Sequence, residues 1–243
     1  MQLIRKELDD YRILLRSIPS LVLTLFVVSV IMMNLLANKE VISVKYFALD
    51  CGFVLSWISF LCMDMICKRF GAKAAAKVSI LAMAINLFAT LVFKLMSLTP
   101  GMWGEYYSTG MTEVNDGLNA TFGGSWYVVL GSSTAMVVAA ITNSFINYTV
   151  AKRLKNKSFS DFAKRSFIST GIAQFVDNLV FASIVSYHFF GWTLAQVLIC
   201  SLTGAVAELL CEVVFSPIGY RVSQDWEADG VGQQYLNYAG LTA

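Results

Sequence analysis

Six long apolar stretches, separated by short polar connections, recur along the chain. Each is close to the ~20 residues that a helix needs to cross the hydrocarbon layer of a membrane. The stretches are residues 18–37, 47–67, 74–98, 125–151, 167–188 and 192–217. The pattern predicts an all-α membrane protein with six transmembrane helices, which are numbered below as the first to sixth spans.

Composition supports the same class of protein. Hydrophobic residues make up 57% of the sequence and charged residues 14%, compared with about 45–50% and about 25% in soluble domains. So few charged groups could not cover a soluble protein of this size, which excludes most soluble enzymes and nucleic-acid-binding modules. The charged residues 1–16 predict an amphipathic lead-in. A signal peptide is not expected, since the apolar run is too long and no small-residue cleavage site follows it.

The distribution of basic residues predicts the orientation in the membrane. Fifteen of the eighteen lysines and arginines lie in the N-terminal segment, the second and fourth connections and the C-terminal tail, and the other three are Lys39, Lys45 and Lys94. Because basic residues accumulate on the cytoplasmic side, both termini are expected to be cytoplasmic. The predicted organisation is a cytoplasmic N-terminal segment (1–17), a six-helix transporter domain (18–220) and a cytoplasmic tail (221–243).

The fifth span contains the most informative polar side chains. At ~100° per residue, Thr170, Gln174 and Asp177 fall within an arc of about 60°, and Asn178 follows directly. Asp177 lies roughly 15 Å from the cytoplasmic end of the span. A charged side chain at this depth costs about 3 kcal/mol on insertion scales. Asp177 therefore indicates a substrate or ion site, and the alternative is a structural aspartate hydrogen-bonded to a neighbouring helix.

Polar residues also occur in the other spans. The sixth span carries Glu208 and Glu212 one turn apart, and because like charges repel, one of them is expected to hold a proton or to have a cationic partner. Which of the two faces a cavity is left open, and Glu212 could instead reach the lipid headgroups. The remaining candidates are Asp64 in the second span, Asn86 in the third, and Asn143 and Asn147 in the fourth. Their alternative roles are hydrogen bonds between helices for the amides and an ion pair at the helix end for the aspartate.

These candidates make the interior rich in carboxylates and amides and poor in cations. Such a cavity suits a flat ligand with several N–H donors, because a carboxylate accepts two parallel N–H bonds and a carboxamide pairs with a carbonyl and an N–H group. Metals and cofactors are not expected, since His188 is the only histidine and the five cysteines form no CxxC pair. The sequence contains neither a P-loop nor a GxSxG motif, so we expect a protein that is not an enzyme and does not hydrolyse ATP itself.

Five groups of residues form a pattern between residues 33 and 220. They are Asn34, Ala37 and Lys39; Asp64, Phe70 and Gly71; Asn86; Arg165, Ser169, Thr170, Gln174, Asp177 and Phe181; and Glu212, Ser216, Pro217 and Tyr220. This pattern resembles that of the queuosine-precursor transporters, also called the vitamin-uptake-like (VUT) family. Three positions depart from it: Lys68 replaces the usual glutamate, Asn147 a frequent aspartate and Glu208 a frequent lysine.

The resemblance implies a six-helix importer in the bacterial inner membrane. Its substrate would be a 7-deazaguanine base, such as queuine or 7-cyano-7-deazaguanine, which tRNA modification consumes in the cytoplasm. Asp177 with Gln174 would bind the polar edge of the base, and Glu208 or Glu212 would accept a second edge or a coupling proton. The implied partners are this nucleobase-like substrate and the lipid bilayer, without nucleic acid, and a homo-oligomer is left open.

The alternative is the membrane subunit of an energy-coupling-factor vitamin importer. Six helices and a cavity for a small vitamin fit such a subunit as well. Those subunits dock on an ATPase module through small residues in the first helix, often spaced as A-x-x-x-A. The first span has no such stripe, so an ATPase partner is not expected.

Overall fold

The computed structural model describes residues 2–99, 104–153 and 159–241. Its helices in chain order are α1 (Gln2–Ser17), α2 (Ser20–Leu36), α3 (Phe53–Phe70), α4 (Ala72–Met96), α5 (Gly104–Thr109), α6 (Thr112–Gly124), α7 (Trp126–Arg153), α8 (Phe159–Phe181), α9 (Tyr187–Phe189), α10 (Leu194–Ala228) and α11 (Gln233–Ala239). A π-helical turn, Ala182–Ser186, joins α8 to α9. Two short strands, β1 (Glu40–Val44) and β2 (Phe47–Asp50), lie between α2 and α3.

Four helical stretches among the described residues are long and apolar enough to cross a membrane. They are Ala72–Met96, Thr112–Asn143, Phe167–Phe189 and Leu194–Ala228. A fifth is formed if α2 is counted together with α1, from which it is bent by 107°. Helix α2 has only 17 residues, and the 18 residues of α3 include three charged ones. A helical, multi-pass membrane protein is thus confirmed, whereas the number of six spans and the orientation of the termini stay predictions.

A β-hairpin occupies the beginning of the predicted second span. Val44 pairs with Phe47 across a two-residue turn, and helix α3 begins only at Phe53. The β-branched residues of β1 favour extended backbone, and a short apolar run does not by itself distinguish strand from helix. The prediction that the second span starts at residue 47 is therefore wrong, and the hairpin brings Asp50 to the start of α3.

The C-terminal residues pack against the bundle. Helix α10 continues through Pro217, the predicted end of the sixth span, as far as Ala228. The chain then turns back through Gly232 (φ 74°), where a side chain would collide with the Phe70 ring. On α11, Tyr235 lies edge-on to Phe70, with ring centroids 6.1 Å apart. The residues predicted as a tail thus join the main hydrophobic cluster, which also includes side chains of α1 to α4.

An ion cluster attaches α1 to α4. The ammonium group of Lys77 contacts the carboxylates of Glu7 and Asp10, and these are the ion pairs found within the described part of the chain. The Tyr11 hydroxyl donates a 3.3 Å hydrogen bond to the backbone carbonyl of Lys77. Helix α1 is thereby fixed against the bundle, and its Leu14 side chain is fully buried in the main hydrophobic cluster.

Candidate substrate site

Two amides of α8 face two carboxylates of α10. Asn178 Nδ2 donates a 2.9 Å hydrogen bond to Glu208 Oε2, and Gln174 Nε2 lies 3.5 Å from Glu212 Oε2. The pairs form because residues four apart project from the same side of a helix, about one 5.4 Å turn from each other. We call these four residues the amide–carboxylate ladder. The structure thus brings together four of the side chains that the sequence selected.

Two other candidates of the fifth span lie next to the ladder. The side chain of Thr170 lies beside Glu212, and Asp177 is close enough to Glu208 for the two carboxylates to repel each other. Within the described residues no hydrogen bond joins Asp177 to another side chain. Nor does a basic side chain pair with the ladder there, since the ion pairs are those of Lys77. The site is therefore acidic and has unused hydrogen-bond acceptors.

A small pocket of about 10 Å³ lies between α3 and α10. Asp64, Glu208 and Glu212 line it, so the candidate of the second span joins the ladder at this point. One wall is the stacked pair of Trp57 and Phe215, whose ring centroids are 4.0 Å apart at an interplanar angle of 18°. We call this cavity the α3–α10 pocket. It combines three carboxylates with flat aromatic surfaces.

A second cavity, of about 70 Å³, opens beside the hairpin. Its lining includes Asp50, Asn178 and Ser201, together with residues of the π-helical turn. Asp50 accepts a 3.2 Å hydrogen bond from the backbone N–H of Phe53. Burial raises the pKa of the Asp50 carboxyl above its ordinary value, although backbone hydrogen bonds oppose the shift. We call this cavity the hairpin cleft, and the Asn178–Glu208 hydrogen bond connects its lining with that of the α3–α10 pocket.

Three buried polar atoms have no hydrogen-bond partner within the described residues. They are Gln174 Oε1, Ser201 Oγ and Asn143 Oδ1. Buried polar groups are paired in most proteins, by protein or by water. Gln174, a member of the ladder, is only 2% exposed. Its side-chain oxygen Oε1 is therefore a buried acceptor that a ligand or a water molecule can use.

The remaining candidates do not join the ladder. Asn86 is buried on α4, which packs mainly against α2, α3, α6 and α7. Asn143 lies on α7 with the unpaired oxygen described above. The side chain of Asn147 lies outside the described residues. Among the described residues, no group of three or more histidine, cysteine or carboxylate side chains is arranged to hold a metal ion.

Three residues of the site were not among the candidates selected from the sequence. Asp50 stands at a span boundary, where a carboxylate is unremarkable. Ser201 carries no charge, and Phe215 belongs to an apolar run in which nothing distinguishes a cavity wall from ordinary packing. Their positions depend on the hairpin and on the contact between α3 and α10. The one signal available in the sequence was the position of Asp50 just after a run of β-branched residues, which favours a strand there.

Apolar helices surround an acidic, amide-rich interior, with a cavity on each side of the Asn178–Glu208 hydrogen bond. Buried polar groups of this kind in a membrane protein are typical of a site for a small molecule or an ion. Over residues 50–222 the sequence matches the family described as "Putative vitamin uptake transporter". The match covers more than two thirds of the chain, which therefore belongs to this family. It includes every residue of the ladder. No curated protein and no solved structure matches the chain.

Family membership confirms the broad prediction made from the sequence pattern. The chain is a multi-pass membrane protein of an uptake-transporter family, and its partners are a small-molecule substrate and the lipid bilayer. The description of the family names no particular substrate beyond vitamins. The choice of substrate therefore depends on the chemistry of the ladder.

Proposed function

We propose that the protein imports a queuosine precursor, a 7-deazaguanine base, across the bacterial inner membrane for use in tRNA modification. The observation that supports this function most directly is the amide–carboxylate ladder. A guanine-type ring presents adjacent N–H donors, which a carboxylate accepts in parallel, next to a carbonyl that a carboxamide can bind. Glu208 and Asp177 supply such acceptors, and Gln174 and Asn178 supply the amides.

Substrate binding must open the ladder. The hairpin cleft and the α3–α10 pocket have volumes of about 70 and 10 Å³, whereas ligand pockets usually enclose about 300–1,000 Å³. In the proposed transport cycle this structure is therefore the closed state. In the proposed mechanism the Asn178–Glu208 hydrogen bond breaks, and the donor edge of the base replaces the Asn178 amide. The same movement joins the two cavities into one pathway.

The charge of the ladder favours particular members of this substrate class. Four carboxylates, those of Asp64, Asp177, Glu208 and Glu212, lie at or beside the ladder without a basic partner among the described residues. A cationic amine on the ligand would compensate this negative charge. Queuine and 7-aminomethyl-7-deazaguanine carry such an amine, and the 7-cyano compound does not. We therefore expect tighter binding of the two amine-bearing bases.

The proposed membrane arrangement has six spans, with α2 and α3 completing the set. Helix α3 packs against α2, α4 and α10, and such a central position suits a span despite its charged residues. With both termini in the cytoplasm, the hairpin cleft would face outward and the α3–α10 pocket inward. Transport would need no ATPase module, and a carboxylate of the ladder would carry any coupling proton.

Uptake of labelled queuine by bacteria that lack their own queuosine synthesis and import tests this function. Cells expressing the protein should accumulate the label, and cells with an equal amount of Glu208→Gln in the membrane should not. The host should carry no energy-coupling ATPase genes. Uptake that appears only after an ATPase module is added would favour the alternative, a subunit of an energy-coupling-factor importer.

A further inference from the structure

Helix α1 presents three different faces. One faces the bundle, where Asp10 is 8% exposed and Leu14 is fully buried. A second is apolar and uncovered, with Ile4 66% and Leu8 64% exposed. The third face is basic and carries Arg5, Arg12 and Arg16, which lie within about 40° of one another at ~100° per residue.

The geometry of α1 places these faces relative to a membrane. Its axis is bent by 107° from that of α2, the apolar helix that follows. If α2 crosses the bilayer, α1 lies nearly parallel to the membrane plane. A helix in that position with one apolar and one basic face is typical of interfacial segments, whose apolar face enters the acyl boundary while the cations stay at headgroup level.

The basic face borders a cleft between α1 and α11. The cleft has a volume of about 550 Å³. Its charged lining consists of Arg5, Lys6, Arg12, Arg16 and Asp9. Four cations and one carboxylate give it a net positive charge.

The ion cluster of α1 explains why this charge is uncompensated. Glu7 and Asp10, which could have paired with the neighbouring arginines, point toward the bundle and contact Lys77. The contacts with Lys77 engage both acidic side chains, although Glu7 itself is half exposed, and leave the basic ones facing outward. On the other wall of the cleft, Gln234 and Tyr238 of α11 add polar groups.

We propose that the cleft between α1 and α11 binds the headgroup of an anionic phospholipid. Arginine binds phosphate oxygens through two parallel N–H bonds, and basic residues at a membrane surface are attracted to anionic lipids. The exposed Ile4 and Leu8 would contact the acyl chains of the same leaflet. The cleft lies on α1 and α11 and shares no residue with the amide–carboxylate ladder, so this site does not depend on which substrate is transported.

The test is native mass spectrometry of the full-length protein in detergent with added phosphatidylglycerol or phosphatidylcholine. The wild type should retain phosphatidylglycerol preferentially. The double variant Arg12→Gln/Arg16→Gln should bind it roughly 10- to 30-fold more weakly at low ionic strength. A matched control is Lys73→Gln/Arg221→Gln, which removes two exposed cations outside the cleft and should change the affinity less than twofold.

Several outcomes would overturn the lipid site. One is equal retention of the two lipids by the wild type, and another is equal weakening by both double variants. Displacement of phosphatidylglycerol by millimolar inorganic phosphate would show that the cleft takes a soluble anion instead. Unfolding temperatures of all variants within a few degrees of the wild type ensure that lost binding is not lost structure.

Discussion

The carboxamide of Asn178 donates both to Glu208 Oε2, at 2.9 Å, and to the backbone carbonyl of Gln174, at 3.0 Å. Both N–H bonds of the amide are therefore used, which fixes its orientation across the contact between α8 and α10. A carboxylate has further acceptor capacity beyond one hydrogen bond. Glu208 can consequently hold Asn178 in the closed state and accept from a ligand in the open one.

Replacing Glu208 with glutamine should weaken substrate binding without unfolding the protein. The side-chain carbonyl of glutamine still accepts from Asn178, but the charge that binds the donor edge is lost. Hydrogen bonds to charged groups contribute about 1.5–3 kcal/mol, so the Kd for queuine should rise at least about tenfold. Isothermal titration of the purified variant measures this change. The control is Glu227→Gln, on the exposed end of α10. Equal affinities of the two variants would show that Glu208 does not bind the substrate.

Introducing lysine at the same position should reverse the preference between substrates. Glu208→Lys places a cation beside Asp177. The positive charge would repel an amine-bearing base and compensate the neighbouring carboxylate. We expect the ratio of affinities for 7-aminomethyl- and 7-cyano-7-deazaguanine to fall below its wild-type value. An unchanged ratio in a folded variant would contradict the proposed charge selection.

Replacing Gly204 with alanine should displace the Asn178 amide of the ladder. An added Cβ would lie 3.2 Å from Asn178 Oδ1, which is too close unless the amide moves. Alanine in a helix interior is otherwise favoured over glycine by about 1 kcal/mol. Gly204→Ala should therefore lower transport several-fold, and Gly171→Ala, whose Cβ would meet Leu209 at 3.5 Å, should leave it unchanged. Equal uptake by the two variants, at equal membrane abundance, would mean that the Asn178 position is not critical.

Breaking the ion cluster of α1 should destabilise the protein and leave its substrate preference unchanged. Lys77→Met removes the cation beside Asp10, and an unpaired buried charge costs about 3 kcal/mol. The variant should unfold at a clearly lower temperature, while Lys73→Met, an exposed lysine one turn earlier in the same helix, should not. Adding Asp10→Asn to Lys77→Met should recover part of the loss, because the two residues are in contact. Identical unfolding temperatures for both single variants would show that the cluster contributes no stability.

Part of the site could be predicted because membrane helices obey simple rules. Charged and amide side chains are costly in hydrocarbon, and helical periodicity alone places Gln174 and Asn178 near one face. Their partners on α10 followed from the same one-turn spacing. The predicted ladder residues were therefore brought together by the structure, although the fold that aligns α8 with α10 was not predictable from one sequence.

Other features depend on contacts that sequence periodicity does not describe. The hairpin of β1 and β2 arises from a short apolar run whose length fits either a strand or the beginning of a helix. The docking of α11 depends on Phe70, which is more than 150 residues away in the chain. Asn86 has the same chemistry as the ladder amides, yet α4 packs mainly against α2, α3, α6 and α7 rather than between α8 and α10. Only tertiary packing decides which polar residues meet.

The most direct test of the account is ligand-induced thermal stabilisation of the purified protein without any partner. The panel should contain queuine, 7-aminomethyl- and 7-cyano-7-deazaguanine, guanine and unrelated vitamins, because a ligand that binds only the native state raises its stability by mass action. We expect the largest shift with the two amine-bearing deazaguanines, a smaller one with the cyano compound and with guanine, which lack the cationic amine, and a clearly reduced shift for the Glu208→Gln variant. A shift produced only by an unrelated vitamin, and by no deazaguanine, would contradict the proposed substrate.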